Sequence, residues 1–177
     1  MHSDFPTFFL LGYMGCGKSY TGARLAERLD VPFIDLDERI EAATGQPIRD
    51  YVAARGLAAF RRQEADCLRA LPPTNTVVAC GGGTPTYGDN LDYLNAHGIS
   101  CYLDTPVALL SARLLPEIDR RPLLHGQTAA TLPGFIERHL AARLPFYRGA
   151  HLRYTQRTGK EPIAAELATY MGRITGH

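Results

Sequence analysis

The sequence has no excess of either charge: its 177 residues include 19 basic and 18 acidic side chains, for a net charge of +1. Proteins that bind nucleic acid or an anionic membrane through bulk charge need a basic surplus, so this mode of binding is excluded. We expect neither nucleic acid nor a membrane as a partner. A charged ligand must instead be recognised by a local site.

The chain also lacks long apolar runs and closely paired cysteines. No stretch approaches the roughly 20 apolar residues that span a bilayer, and the start, MHSDFPTFF, has no cationic segment before a long apolar one. Without a C-x-x-C pair, the widely spaced cysteines indicate neither a zinc site nor a disulfide framework; they are Cys16, Cys67, Cys80 and Cys101. We expect one cytoplasmic domain, residues 1–177, with reduced thiols.

What the sequence does contain is an alternation of short apolar runs with longer segments of helical period. The runs predict buried strands at 8–12, 32–37, 76–81, 100–104 and 152–155. This alternation predicts an α/β fold, with a parallel sheet flanked by helices on both faces. Two stretches exceed what a crossover needs, and we expect several short helices that bind substrate at about 38–70 and a lid at about 115–131.

The stretch GYMGCGKS, residues 12–19, matches the full P-loop pattern between a predicted strand and a predicted helix. Its glycines let backbone N–H groups turn inward on a phosphate, Lys18 adds a cation, and the Ser19 hydroxyl can bind Mg²⁺. Cys16 occupies a variable position of the pattern. The sequence therefore predicts an ATP-type site with Mg²⁺, with contacts from Gly15, Cys16, Gly17, Lys18, Ser19 and Tyr20.

A P-loop also needs a carboxylate near the metal, and two predicted strand ends offer one. Asp104 precedes Thr-Pro, which is typical of a helix start, so we interpret it as structural. Asp35 and Asp37 lie two residues apart at the end of the second strand and would face the same side. One could hold the metal while the other accepts a proton from an acceptor hydroxyl. The alternative is that Asp37 merely caps the following helix.

The glycine triplet at 81–83 follows the third predicted strand, where something must approach the backbone closely. A polar substrate could bind the N–H groups of Gly81, Gly82 and Gly83. Arginines suit an anionic partner because their guanidinium fork matches carboxylate and phosphate, and three lie in or beside the long connections: Arg61, Arg121 and Arg143. We interpret Arg62, Arg120 and Arg138 as exposed, and assign no chemistry to the six histidines.

Together these stretches resemble the shikimate kinase family from about residue 8 to about residue 155. The matching pieces, in family order, are LLGYMGCGKS, FIDLDERIE, GQPIRDYVAARG with FRRQE, CGGGT, YLDTP, RRPLL and RLPFY. One departure is Leu57, which follows Gly56 where the family often has Glu. Each piece alone is modest, but their order and spacing are highly specific.

The resemblance implies a P-loop fold like that of nucleoside monophosphate kinases, with a five-stranded parallel sheet in order 2-3-1-4-5. It implies a monomer that transfers the ATP γ-phosphoryl group to the 3-hydroxyl of shikimate, on the route to chorismate and aromatic amino acids. Lys18 would then contact the phosphates, with Ser19 on Mg²⁺ and Asp35 supporting the metal through water. Asp37 would bind the acceptor hydroxyl and act as its base. Arg121 would move in with the lid to contact the transferring phosphoryl group of ATP, and shikimate would bind to Arg61, Arg143 and Gly81 to Gly83.

Two alternatives remain at this stage. Another small-molecule P-loop kinase, such as a gluconate-type enzyme, would share the nucleotide residues but not FRRQE, the glycine triplet and RLPFY. A catalytically silent nucleotide-binding switch would more plausibly have lost Lys18, Asp37 or Arg121, all of which are present.

Overall fold

Parallel strands form the centre of the molecule, in the order β2-β3-β1-β4-β5. The computed structural model describes residues 5–175. Its strands are β1 (Thr7–Leu11), β2 (Phe33–Asp35), β3 (Val77–Ala79), β4 (Gly98–Asp104) and β5 (Leu152–Thr155). The expected five-stranded parallel sheet and its order are confirmed.

Helices cover the sheet and supply the rest of the core. They are α1 (Lys18–Leu29), α2 (Leu36–Thr44), α3 (Ile48–Arg69), α4 (Asn90–His97), α5 (Val107–Leu114), α6 (Leu132–Ala141), α7 (Leu144–Tyr147) and α8 (Ile163–Thr175). β1 is buried along its whole length because it pairs with β3 on one side and β4 on the other. This central position explains why TFFLL is a continuous apolar run without alternation.

The two long connections have the character expected of them. The first contains α2 and α3, and α3 is interrupted at Gly56, whose φ of 81° is not helical. The second contains two 3₁₀ turns, Leu115–Arg120 and Pro122–Leu124, before α6 begins. The first connection follows the carboxyl end of β2, and the second belongs to the crossover that leaves the carboxyl end of β4. Ligands bind at this edge of the sheet in open α/β folds.

The prediction that strand alternation brings Asp35 and Asp37 together was wrong. β2 ends at Asp35, so Asp37 lies in the first turn of α2, and strand alternation does not explain how the two carboxylates converge. It is Asp35, not Asp37, that caps this helix, by accepting a hydrogen bond from the Asp37 N–H. Asp104 is structural but caps no helix: α5 begins at Val107, and the Asp104 carboxylate pairs with Arg153.

The termini of the expected domain, residues 1–4 and 176–177, lie outside the described residues, as does the first part of the segment inspected for a leader. Within residues 5–175, no helix is both long enough and apolar enough to cross a membrane.

Candidate active site

The P-loop folds around its own lysine. The Lys18 ammonium donates hydrogen bonds to the carbonyl oxygens of Gly12 at 2.8 Å and Tyr13 at 3.1 Å. Gly15 has a φ of 78°, and a Cβ there would lie 3.0 Å from the Leu114 side chain. The loop can therefore close against α5 only with glycine at this position. This curvature directs the start of α1, with its unpaired N–H groups, toward the carboxyl edge of the sheet.

Two oxygen groups meet beside the P-loop at the end of β2. The Ser19 hydroxyl donates a hydrogen bond of 2.5 Å to Asp35 Oδ2, while Asp35 Oδ1 accepts from the Asp37 N–H at 3.0 Å. A hydroxyl and a carboxylate are hard oxygen donors of the kind that Mg²⁺ prefers. Because Asp35 also starts α2, the same residue sets the position of Asp37.

Asp37 is in an environment that favours its neutral form. Its side chain reaches the open cleft, but its pKa is raised from 3.8 to about 6, chiefly because the surrounding protein displaces water from the carboxylate. The neighbouring carboxylates of Asp35 and Glu64 contribute to this rise, and Lys18 and Arg61 partly offset it. A carboxylate with a pKa near 6 remains ionised at pH 7 and is a stronger base than an ordinary aspartate.

A buried ion pair lies on the other side of Asp37. Glu64, which is fully buried, accepts a hydrogen bond from Arg61 Nη1 at 2.6 Å through one carboxylate oxygen and from the Thr84 hydroxyl at 2.6 Å through the other. Asn90 in turn donates to the Thr84 carbonyl at 2.9 Å. Because one Arg61 N–H donates to Glu64, the position of the guanidinium group is fixed, and its remaining N–H groups can bind a ligand.

The glycine triplet lies against these charged side chains. A Cβ on Gly83 would sit 2.1 Å from Arg61 Nη2, and one on Gly81 would sit 2.7 Å from Glu64 Oε1 and 3.0 Å from Asp37 Oδ1. Distances under 3.0 Å cannot be tolerated without displacing the neighbour. Glycine at 81 and 83 therefore allows charges from α2 and α3 to converge on the turn after β3.

Arg143 reaches the same turn from the junction of α6 and α7. Its Nη1 would be 3.2 Å from a Cβ on Gly82, whose carbonyl accepts a 2.6 Å hydrogen bond from the Tyr147 hydroxyl. A second contact joins Arg143 Nη2 to His139 Nε2 at 3.0 Å. Arg61 and Arg143 thus border the glycine turn from different helices and make it a site for an anion.

A pocket opens on the opposite side of the P-loop. Gln156, fully buried, donates to the Cys16 carbonyl at 2.8 Å, and Arg113 donates to the Gly15 carbonyl at 3.1 Å and to Gln156 at 3.2 Å. These contacts connect α5 and the segment after β5 to the loop. The exposed Tyr20 ring, with the Arg24 guanidinium 3.7 Å from its centre, forms part of the rim.

Arg121 of the expected lid is paired within its own segment. Its Nε lies 2.5 Å from Glu117 Oε2, one helical turn earlier, and both side chains are about two-fifths exposed. The structure thus brings together the P-loop, Asp35, Asp37, Arg61, the glycine triplet and Arg143. Arg121 is paired with Glu117 instead. Arg62, Arg120 and Arg138 are exposed, as expected.

Comparison with known families decides the relationship of this chain. The family model described as shikimate kinase matches residues 14–172. The chain belongs to the shikimate kinase family. A shikimate kinase of Bacteroides fragilis is 39% identical over 147 residues, which cover 82% of each protein. That of Symbiobacterium thermophilum is 39% identical over 162 residues, covering 89% of this chain and 91% of the relative.

Solved structures agree with this family assignment. Shikimate kinase from Bacteroides thetaiotaomicron superposes with a TM-score of 0.87 at 31% identity, covering 98% of this chain and 99% of the neighbour. Shikimate kinase from Acinetobacter baumannii in complex with shikimate gives 0.82 at 33% identity, with 96% and 92% covered. The gluconate-type alternative is thereby set aside, and the family supports an ATP-dependent kinase with shikimate kinase function.

Sequence reasoning missed three residues that the structure places in this shikimate kinase site. Glu64 could have been found, because it follows Arg61 by three residues on a helix, a spacing at which side chains meet. His139 precedes Arg143 by four residues, a spacing that likewise predicts contact between side chains on a helix. Tyr13 stands at a variable P-loop position and gave none, since its partner lies 126 residues away.

Proposed function

We propose that this chain transfers the γ-phosphoryl group of ATP to the 3-hydroxyl of shikimate, giving shikimate 3-phosphate and ADP. The observation that carries the proposal is the meeting of Asp37 with two arginines at one glycine turn, beside the P-loop. Shikimate is a small polyol with one carboxylate. In this proposal Arg61 and Arg143 bind the carboxylate, and Asp37 binds and deprotonates the hydroxyl that attacks the γ-phosphoryl group.

The roles we propose for the nucleotide residues follow from their chemistry. Lys18 and the backbone N–H groups of residues 15–20 bind the phosphates, and the pocket between Tyr20 and the segment after β5 receives the adenosine. Phosphate oxygens would compete with the Gly12 and Tyr13 carbonyls for the Lys18 ammonium. The lysine therefore has a defined position from which to follow the transferring group.

Mg²⁺ is the metal that we propose for this site. Ser19 and Asp35 would hold it, Ser19 directly and Asp35 through water, and it would neutralise charge on the phosphates. Residues 5–175 contain no cluster of three or more metal-binding His, Cys, Asp or Glu side chains. The Ser19 hydroxyl and the Asp35 carboxylate fit Mg²⁺, which takes few protein ligands and completes its shell with water and phosphate.

Asp37 removes the proton of the acceptor hydroxyl in the proposed reaction. Its raised pKa makes proton transfer easier while keeping the carboxylate ionised at neutral pH. The Glu64 carboxylate, held by Arg61 and Thr84, keeps the acceptor side in one geometry. Arg121 would leave Glu117 and move in with the lid, which would exclude water and limit hydrolysis of ATP.

The test is coupled ADP release with Mg-ATP and a panel of acceptors: shikimate, quinate, gluconate and nucleoside monophosphates. We expect saturable turnover with shikimate and a rate with gluconate no higher than that without acceptor. Binding of ATP without turnover of any acceptor would support the nucleotide site but contradict the assignment of shikimate as the acceptor. Turnover with gluconate would support the gluconate-type alternative.

A monomeric state, which the resemblance implies, and a cytoplasmic location, which the composition leads us to expect, remain predictions. Sedimentation at several protein concentrations tests the first, with a single mass near 19.4 kDa expected. Fractionation of cells of the source organism tests the second, and recovery of the protein in a membrane or periplasmic fraction would contradict it.

A further inference from the structure

His139 of α6 stands between the nucleotide loop and the arginine of the acceptor side. Its Nδ1 lies 2.8 Å from the Tyr13 hydroxyl, and its Nε2 lies 3.0 Å from Arg143 Nη2. The rings of Tyr13 and His139 meet edge to face, with centres 5.5 Å apart. The Tyr13 carbonyl also accepts a hydrogen bond from Lys18, so this tyrosine contacts both the lysine of the P-loop and the histidine beside Arg143.

The hydrogen bonds determine the protonation state of the ring. A guanidinium group only donates, so His139 Nε2 must accept from Arg143 and carries no proton. The proton of the neutral ring is then on Nδ1, which donates to the Tyr13 oxygen. Burial and the positive charge of Arg143 both lower the pKa of His139 below 6.5, which favours this neutral form.

Arg143 is constrained on more than one side. Besides His139, it faces the backbone of Gly82, and its guanidinium carbon lies 5.8 Å from the centre of the Tyr13 ring. His139 accepts from one of the five N–H donors and the Tyr147 side chain bonds to the same guanidinium group, so the donors that remain can serve a ligand. Without His139, the long side chain would gain rotamers in which those donors no longer face the glycine turn.

We propose that His139 is a positioning residue that holds Arg143 toward the carboxylate of the acceptor, and that Tyr13 fixes the ring of His139. The inference rests on the proposed role of Arg143 in binding the acceptor. His139 itself need not touch the substrate. Its effect is on the affinity for the acceptor and not on the chemistry at Asp37.

The proposal has a consequence for pH. A protonated His139 donates from both nitrogens and cannot accept from Arg143, so the contact is lost as the pH falls below the lowered pKa. The ionisable groups that face the ring are Tyr13 and Arg143. Helix α5 packs against α6, but its Arg113 bonds to Gly15 and Gln156 and not to the His139 ring. The charged neighbours on α6, Glu137 and Arg138, are exposed to solvent.

The experiment compares steady-state kinetics of wild type, His139→Gln, His139→Ala and Tyr13→Phe, with exposed His97→Ala as the matched control. A glutamine amide oxygen can take the place of Nε2 as an acceptor but does not titrate near neutral pH. We expect His139→Ala to raise the KM for shikimate about 10-fold, with kcat and the KM for ATP within about 2-fold. Tyr13→Phe should give a smaller rise in the same parameter.

His139→Gln should restore most of the affinity for shikimate. As the pH falls from 7.5 through the lowered pKa of His139, the KM for shikimate should rise more in wild type than in His139→Gln. Protonation of Asp37 lowers kcat in both proteins alike and so does not confuse the comparison. Thermal unfolding of each variant identifies any that fail to fold, and His139→Gln then carries the test through its pH profile.

Two results would overturn the inference. One is a KM for shikimate in His139→Ala equal to that of wild type, and the other is a KM for shikimate in His139→Gln that rises with falling pH as much as that of wild type. Arg143→Ala separates this failure from that of the proposed function. If Arg143→Ala raises the KM and His139→Ala does not, only the positioning role falls. If neither raises it, the assignment of Arg143 to the acceptor falls as well.

Discussion

The two parts of this site that we propose to bind the nucleotide and the acceptor, the nucleotide side and the acceptor side, are built in different ways. The nucleotide side comes mainly from one stretch, residues 12–19, whose backbone and lysine bond to each other over six residues or fewer. The acceptor side combines α3, the turn after β3 and the start of α7, and Arg61 reaches Gly83 across 22 residues of sequence. One side is a local motif, and the other exists only after folding.

The difference matters because the two sides depend on different forces. A P-loop is held by backbone geometry and helix position, so a single substitution removes a function without moving the loop. On the acceptor side, charges are held by buried partners and by the absence of a Cβ, so distant substitutions can move the binding groups. Asp37 lies at the border, with its backbone set by Asp35 and its pKa set by both sides.

The largest effect is expected from the nucleotide side, with Lys18→Met. Loss of the cation that we propose to follow the transferring phosphoryl group should lower kcat by about 10³-fold or more. Binding of shikimate without nucleotide, measured by calorimetry, should change by less than about 2-fold. A large loss of shikimate affinity in this variant would contradict the separation of the two sides.

Asp37→Asn tests the border between them. We expect kcat to fall by about 10²- to 10³-fold, because the proposed base is lost while the shape of the side chain is kept. Turnover within about 3-fold of wild type would remove Asp37 from the reaction.

The same variant has an opposite effect on stability. The folded pKa of about 6 exceeds the ordinary 3.8, so ionised Asp37 costs stability, and this cost is complete once the pH has risen above 6. Asp37→Asn should therefore raise the unfolding free energy at pH 7.5, by about 1 kcal/mol after allowance for solvent screening. Urea unfolding measures this, with exposed Glu38→Gln as the control. A difference that persists unchanged at pH 4 would point to a cause other than ionisation.

Gly83→Ala should disturb the acceptor side alone. The new methyl group would overlap the Arg61 guanidinium and displace it, raising the KM for shikimate by about 10- to 100-fold, with the KM for ATP unchanged. The control is Gly134→Ala in α6, where a Cβ meets nothing closer than 3.4 Å and the helix should gain slightly in stability. Equal effects of the two substitutions on shikimate would show that glycine 83 has no special role.

The smallest effect is expected from Arg113→Ala on the nucleotide side. Its hydrogen bonds to the Gly15 carbonyl and Gln156 support the loop from behind. Their loss should raise the KM for ATP about 5-fold, in line with about 1 kcal/mol for one net hydrogen bond. The KM for shikimate serves as the internal control, and a larger change there than for ATP would contradict this assignment.

The comparison also explains which predictions from the sequence succeeded. The P-loop could be recognised because its function resides in a short, ordered pattern. Asp35 and Asp37 were correctly paired but for the wrong reason, since strand periodicity cannot show that β2 stops after three residues. Arg61 and Arg143 became candidates by their placement in or beside the long connections, and the family resemblance gave them a role, since neither stands out by itself among 17 arginines.

The sequence by itself determined the sheet of alternating βα units, the nucleotide loop and the family to which the chain belongs, because these depend on local patterns and their order. Only the tertiary structure decided that Glu64 holds Arg61, that the glycines face charged side chains, and that His139 lies between Tyr13 and Arg143. Those contacts join residues up to 126 positions apart. A pattern along the chain cannot encode such distances, since they are set by the packing of α3, α6 and α7 around the carboxyl edge of the sheet.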